Sequence, residues 1–131
     1  MLSMLELAAN IALPANTFDP RGFWLGAVGI REDGVIVQSR NGAVNCSSMT
    51  DYQLIPGAHA EGRVLRKMGR GGVIFVARVA KKDRAFVMAR PCPTCRVRIT
   101  SAKVEKVYYT IDHNHYGIWF VNKDYDKIQE I

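Results

Sequence analysis

Apolar and polar positions in the first third of the chain predict one helix followed by two strands. Residues 2–13 have helical periodicity, which ends at Pro14 because proline cannot continue a helix. Residues 23–31 form an apolar run that is typical of a buried strand. An Asp-Gly pair then predicts a hairpin turn, and residues 35–39 return as the second strand.

The rest of the chain alternates between helical and strand patterns. Helices are predicted at 58–68 and 93–102, each followed by a strand, at 73–80 and 106–110. The remaining segments are predicted as a polar loop at 41–57, a short strand at 85–89, a loop at 111–117, a short strand at 118–121 and a closing helix at 123–131. This order indicates an α/β fold with helices on the faces of a partly antiparallel sheet.

Length and charge narrow the class of protein. The 131 residues predict one domain, 1–131, which is large enough to bury a core without disulfides. The apolar N-terminal segment carries Glu6 and Asn10 and no basic leader, and no apolar run is long enough to span a bilayer, so a cytoplasmic protein is expected. The net charge of +6 favours an anionic partner, a nucleotide phosphate or a nucleic acid, although a solvated basic surface would give the same count.

Two short motifs carry candidate chemistry, and each lies at the predicted start of a helix: His59-x-Glu61 and Pro91-Cys92-x-x-Cys95. Cys92 and Cys95 are three positions apart, so a helix places them on one face, and a helix start favours negative charge. His59 would be a third, neutral ligand, which leaves one zinc position open as in catalytic sites. Glu61 would then act beside the metal as a general acid and base.

Each motif has an alternative when it is taken alone. A His-x-Glu pair usually belongs to an exposed helix surface, and a Cys-x-x-Cys pair can be half of a zinc ribbon or a redox pair. A four-cysteine ribbon needs a second pair, whereas the only other cysteine is Cys46. A thioredoxin-like pair would be expected after the first strand. The two motifs together, with a strand between them, therefore favour the zinc site.

The paired motifs resemble those of the zinc-dependent cytidine/deoxycytidylate deaminase superfamily. The resemblance covers most of the chain and implies a three-layer α/β/α fold with a mixed, about five-stranded sheet. It implies Zn²⁺ held by His59, Cys92 and Cys95, with Glu61 transferring protons. It also implies a homo-oligomer, since members of this superfamily usually assemble as dimers, tetramers or hexamers.

Two further residues acquire expected roles from the resemblance. Asn41, which follows the second strand, is expected to contact the substrate, although an Asn-Gly pair also suits a plain turn. The backbone of Ala60 is expected to face the base. The chain departs from common members in the run Met88-Ala89-Arg90 before the Pro-Cys pair and in the long stretch 73–91, which leaves the substrate open.

The resemblance implies hydrolytic deamination of a cytosine nucleotide, with dCMP converted to dUMP and ammonia as the first hypothesis. The alternatives are a nucleic-acid editor similar to the tRNA adenosine deaminases, a nucleoside or free-base deaminase, and a non-catalytic binding member. A conspicuously basic terminal helix would favour the nucleic-acid editor. The predicted closing helix is not of this kind, because Lys123 and Lys127 are accompanied by Asp124, Asp126 and Glu130.

Four other residues have chemically versatile side chains without a clear place in the site. His113 and His115 are expected to be loop histidines, since the zinc already has three ligands. Cys46 is treated as an ordinary small residue, and Arg90 as a neighbour of the metal motif that could meet a phosphate.

Overall fold

A computed structural model describes residues 2–12, 23–40, 60–80 and 85–131. These residues form three α-helices, seven strands and a short 3-10 turn. The helices are α1 Leu2–Ala12, α2 Ala60–Met68 and α3 Pro93–Ser101. The strands are β1 Phe23–Ile30, β2 Ile36–Arg40, β3 Val73–Ala80, β4 Phe86–Val87, β5 Lys106–Thr110, β6 His115–Phe120 and β7 Tyr125–Glu130, and the 3-10 turn covers Val121–Lys123.

All seven strands belong to one mixed sheet. Its order is β2-β1-β3-β5-β6-β7, and β4 pairs with β3 beside this path. The pairs β1–β2, β1–β3, β3–β4, β5–β6 and β6–β7 are antiparallel. Among the described strands, only β3 and β5 pair in parallel, which requires a crossover connection between them. Helix α3 lies on that crossover.

The sheet is covered on both faces, which confirms the three-layer α/β/α prediction. Successive side chains of β3 point to opposite faces: Ile74 and Val76 pack in the core under α2 and α3, and Phe75 and Ala77 pack in the core under α1. The run of apolar residues in β3 is explained by this burial on both sides. None of the described helices is long and apolar enough to cross a membrane.

Backbone hydrogen bonds tie the C-terminal ends of α2 and α3 together. Gly71 N donates to Ala102 O at 2.9 Å, and Glu105 N donates to Gly72 O at 2.8 Å. Both helices are nine residues long, or about 14 Å, and both lead into the parallel strands β3 and β5. The N-terminal ends of α2 and α3 therefore lie at one edge of the sheet, beside the carboxyl ends of β3 and β5.

The closing helix predicted for residues 123–131 is wrong, because the chain forms strand β7 there. Asp124 adopts a left-handed conformation with φ 48°, which turns the chain back so that Tyr125 pairs with Phe120. Likewise, the loop predicted for 111–117 ends early, since β6 begins at His115. With the β6–β7 hairpin and β4, the sheet has seven strands rather than about five. The polar loop predicted for 41–57 lies outside the described residues.

Helix α1 approaches β1 so closely that only glycine fits at one position. A Cβ atom on Gly26 would contact the carbonyl oxygen of Ala8 and would lie 2.8 Å from Ala12 N. Both are backbone atoms, which cannot rotate away as a flexible side chain would. The packing of α1 on the sheet therefore depends on Gly26.

We expect Gly26→Ala to lower the free energy of unfolding by about 3 kcal/mol, because the helix must move away from the strand. Gly34→Ala is the matched control: its φ of 88° is unfavourable for alanine, but nothing lies within 4 Å of the added Cβ. Its cost is about 1 kcal/mol. Urea unfolding measures both values, and an equal loss in the two variants would show that α1 does not pack as described.

Candidate metal centre

The cysteine pair lies in the first turn of α3. Cys92 is the N-cap residue, with extended φ −67° and ψ 163°, and its carbonyl oxygen accepts the first helical hydrogen bond from Arg96 N at 2.9 Å. Pro93 follows at the first helical position, where its fixed φ and missing N–H cost nothing. The Pro-Cys-Pro sequence therefore starts the helix at the position that the sequence predicts.

The first turn brings the two thiol groups to the same side of the helix end. Cys92 is the N-cap residue and Cys95 is the third helical residue, the two positions whose side chains meet in a capping box. In the described helix α3, the Cys92 side chain makes no capping hydrogen bond. Cys95 is 1% exposed, whereas Cys92 is half-buried. The pair thus lies between the core and the edge of the sheet.

The other predicted site residues are described only in part. Ala60 is the first residue of α2, so its backbone lies at the N-terminal end of that helix. Glu61 is the second residue of α2, and its side chain lies outside the described atoms. His59 and Asn41 lie outside the described residues, as does Cys46. Within the described ranges, no three histidine, cysteine or acidic side chains come together as a metal site.

The donors that the structure does describe fit zinc. Thiolates are soft ligands that zinc prefers, and a helix N-terminus stabilises the negative charge of a thiolate. Two cysteines three residues apart form half of a tetrahedral set. Helix α2 begins at the same edge of the sheet as this cysteine pair.

Next to the cysteine pair, Asp126 of β7 accepts hydrogen bonds from three side chains. Arg90 Nη2 lies 3.2 Å and Arg96 Nη2 lies 3.0 Å from Asp126 Oδ1, and the Tyr109 hydroxyl donates to Oδ2 at 2.8 Å. Arg90 precedes Cys92 by two residues, and Arg96 directly follows Cys95. One carboxylate thus contacts both ends of the metal motif.

A second carboxylate and an indole ring complete the surroundings of Arg96. Asp124 Oδ1 accepts hydrogen bonds from Arg96 Nη2 at 3.1 Å and from Trp119 Nε1 at 3.0 Å. The guanidinium carbon of Arg96 lies 4.1 Å from the centre of the Trp119 ring, within the range of a cation–π interaction. Arg96 is 15% exposed, so its charge is largely removed from water and needs these partners.

Burial and charge shift the proton affinities in this cluster. Burial alone would raise the pKa of Asp126, but hydrogen bonds from Arg96 and Tyr109 and the charges of both arginines hold that pKa below its usual range. Burial, helped by the hydrogen bond to Asp126 and the charge of that carboxylate, raises the pKa of Tyr109 to about 12. Burial opposes ionisation of Arg96, yet hydrogen bonds and charges from Asp126 and Asp124 raise its pKa on balance.

An open cleft of about 740 Å³ runs between α3 and the turn that joins β6 to β7. Its lining includes the residues beside Cys92 and the arginine-binding turn: Arg90, Pro91, Pro93, Arg96, Trp119 and Asp124, among others. The two cations of this lining are paired with carboxylates: Arg90 with Asp126, and Arg96 with both Asp124 and Asp126. The cleft is therefore electrically close to neutral.

The two histidines that follow β5 contact an aspartate and a phenylalanine ring. His115 Nδ1 lies 3.0 Å from Asp112 Oδ1, and the His113 ring lies 5.4 Å from the Phe86 ring, centre to centre. Both histidines follow β5, at the end of the sheet where α3 begins. His113 lies in the loop between β5 and β6, as expected, whereas His115 is the first residue of β6 and not a loop residue.

Sequence reasoning missed the carboxylates on the β6–β7 hairpin. The closing-helix prediction placed Asp124 and Asp126 on a polar helix, where they would only offset nearby lysines. Tyr125, Ile128 and Ile131 recur every third residue, a spacing that suits a helix, so the local pattern itself favoured the wrong element. Nothing in that pattern indicates which carboxylate meets the arginines.

Comparison with known proteins decides the family. The sequence profile of the cytidine and deoxycytidylate deaminase zinc-binding region matches residues 2–111. The chain belongs to the cytidine and deoxycytidylate deaminase family. The zinc cofactor expected from the two motifs is thereby confirmed. A separate comparison with curated proteins found no significant match.

Solved cytidine deaminases share the fold of this deaminase. The cytidine deaminase from Mycobacterium tuberculosis is 22% identical, with 85% of this chain and 88% of that chain covered and a TM-score of 0.53. The cytidine deaminase from Mycobacterium leprae is 19% identical, with 98% and 90% covered and a TM-score of 0.52. At this identity the likeness shows the architecture of the sheet and helices.

The raised pKa of Tyr109 predicts a loss of stability at alkaline pH. Below pH 10 the phenol is neutral in both the folded and the unfolded protein, so its full contribution to the free energy of unfolding is present. Between about pH 10 and 12 the unfolded chain ionises there and the folded chain does not, and the free energy of unfolding falls by about 2 kcal/mol. Urea unfolding across this range should show a steeper decline for the wild type than for Tyr109→Phe, and equal slopes would contradict the assignment.

Proposed function

We propose that this deaminase removes the exocyclic amine of a cytosine nucleoside or nucleotide by hydrolysis, with dCMP as the first substrate to test. The observation that carries the proposal is the shared edge at which α2 and α3 begin. It places the Ala60 backbone at one helix start and the Cys92 and Cys95 pair at the other. We treat residues 1–131 as one deaminase domain.

His59, Cys92 and Cys95 are the proposed zinc ligands. His59 directly precedes Ala60 in the sequence, and Ala60 begins α2. Two thiolates and one imidazole would leave the fourth tetrahedral position for water. When bound, zinc supplies a Lewis acid that lowers the pKa of water and so provides a nucleophile at neutral pH.

Glu61 is the proposed general acid and base. Its carboxylate would accept one proton from the attacking water and pass it to the ring nitrogen, and would then accept the remaining hydroxyl proton and pass it to the leaving amine, so that ammonia departs. Such transfers typically contribute about 10²–10⁴-fold in rate. The backbone of Ala60 and the side-chain amide of Asn41 would hold the base and the sugar of the substrate in position for this attack.

The positive charge of the chain supports a phosphate-bearing substrate. The net charge is +6, and thirteen of the eighteen basic residues lie between Arg63 and Lys106. A 5′-phosphate would gain from this field as the substrate approaches. Arg90 and Arg96 are paired with acidic side chains, so another cation would have to contact the phosphate directly.

A polynucleotide substrate is the second candidate. The C-terminal halves of α2 and α3 and the turns that follow them carry the basic residues Arg66, Lys67, Arg70, Arg98 and Lys103. Such a surface would follow a phosphate backbone, and its binding would weaken steeply with salt. Salt-sensitive binding of single-stranded RNA, together with deamination within it, would favour this function over the free nucleotide. We also propose a homo-oligomer, which sedimentation would test.

Two substitutions should separate metal binding from proton transfer. We expect Glu61→Gln to retain zinc and to lose about 10²–10⁴-fold in kcat, because the amide cannot carry the proton. We expect Cys95→Ser to lose both zinc and activity, because the hydroxyl is a poor zinc ligand. Elemental analysis after chelator dialysis measures the zinc, and ammonia release measures the activity.

Matched controls for these variants lie elsewhere in the chain. Glu6→Gln makes the same carboxylate change on the exposed side of α1, and Cys46→Ser makes the same thiol change outside the motif. Both should keep zinc and activity. Full activity in Glu61→Gln, or full zinc in Cys95→Ser, would contradict the assigned roles.

The substrate itself is tested by ammonia release from dCMP, CMP, cytidine, deoxycytidine and cytosine. If the basic surface contributes through a phosphate, kcat/KM for dCMP should exceed that for deoxycytidine by about tenfold or more at low salt, and the ratio should shrink as salt rises. A preference for the nucleoside at every salt concentration would assign this chain to cytidine deamination instead.

A further inference from the structure

We propose that Asp126 is a positioning residue for the zinc site, which clasps the turn that carries Cys92 and Cys95 through Arg90 and Arg96. This inference rests on the proposed zinc ligands and goes beyond them. It assigns a role in metal retention to the β6–β7 hairpin. We call the contacts of Asp126 with Arg90, Arg96 and Tyr109 the Asp126 clasp.

The clasp holds the metal-binding turn from both of its ends. Asp126 Oδ1 is 3.2 Å from Arg90 Nη2 on one side of the cysteine pair and 3.0 Å from Arg96 Nη2 on the other. Only Pro91 to Cys95 lies between the two arginines. A displacement of this segment relative to β7 would have to stretch at least one of these ion pairs.

The carboxylate side of the clasp is anchored to the core through β6 and Tyr109. Asp126 pairs with Trp119 in the β6–β7 ladder, and its other carboxylate oxygen accepts the Tyr109 hydroxyl at 2.8 Å. Tyr109 is 2% exposed, and its ring fills the space above Gly117, where a Cβ would overlap it. The position of the carboxylate is therefore fixed by the core and not by solvent-exposed side chains.

Burial distinguishes the Arg96–Asp126 arm of the clasp from an ordinary surface ion pair. The side chains of Arg96 and Asp126 are 15% and 20% exposed, so water screens their attraction weakly. Removing the charge of one partner would leave the charge of the other partly buried and without the counter-charge of this pair. By contrast, the Arg31–Asp33 pair has a similar distance of 3.0 Å but lies on the exposed β1–β2 turn, where such pairs contribute little.

The carboxylate of the clasp, unlike its three donors, lies outside the residues that the family profile matches. The family profile ends at residue 111, whereas Asp126 belongs to β7. The cysteine motif is thus supported by a hairpin that the family match does not include. Groups that orient metal ligands from behind typically change metal affinity about 10–100-fold when they are altered.

The test measures zinc release from the intact protein to a chromophoric chelator, at a temperature well below unfolding. We expect Asp126→Asn to release zinc about tenfold faster than the wild type. In the cobalt-loaded protein, the same substitution should shift the visible and sulfur-to-cobalt absorption bands, which depend on the ligand geometry. Asp33→Asn is the matched control, and it should match the wild type in both measurements.

A second pair of variants keeps the test decisive if Asp126→Asn folds poorly. Arg90 is 51% exposed, so Arg90→Met removes one arm of the clasp with little effect on the core. We expect Arg90→Met to release zinc several-fold faster, and Arg90→Lys to restore much of the wild-type rate because it keeps a cation. A release rate in Arg90→Met equal to the wild type, or equal in Arg90→Met and Arg90→Lys, would overturn the clasp.

These outcomes are separable from failure of the proposed site itself. If Cys95→Ser retains zinc, the ligand assignment fails and the clasp fails with it. If Cys95→Ser loses zinc while Asp126→Asn and Arg90→Met release it at the wild-type rate with unchanged cobalt spectra, only the clasp is wrong. If both substitutions accelerate release and shift the spectra, and Asp33→Asn does not, the clasp is supported.

Discussion

The parallel pairing of β3 with β5 is the constraint on which the rest of the structure depends. Each of these strands follows a nine-residue helix, and backbone hydrogen bonds join the segments that connect helix to strand. With the C-terminal ends of α2 and α3 fixed together, their equal lengths place both N-termini at one edge. Residues about thirty positions apart in the sequence are thereby brought to the same edge of the sheet.

That edge suits metal chemistry because a helix start offers negative groups a favourable field. Pro93 fixes where α3 begins, and the N-cap and third helical positions then hold Cys92 and Cys95 on one side. The family match over residues 2–111 supports zinc as the cofactor. The β6–β7 hairpin adds a second layer of support, since its carboxylates hold the arginines on either side of the cysteines.

The parts predicted correctly from the sequence were those with strong local signals. Apolar runs marked β3 and β5, Pro93 marked the start of α3, and the paired motifs indicated zinc and the deaminase family. The β7 strand was not predicted, because its charged residues have no marked alternation and its conformation is set by long-range contacts. Asp126 acquires its partners only after β7 lies beside β6, and no spacing between residues 90 and 126 indicates that contact.

We propose that the residues starting α2 and α3 together hold one catalytic zinc ion. X-ray absorption at the zinc edge measures its ligands directly in the wild-type protein. We expect two sulfur ligands at ~2.3 Å and two nitrogen or oxygen ligands at ~2.0–2.1 Å, one from histidine and one from water. A shell of four sulfur atoms, or one without sulfur, would contradict it.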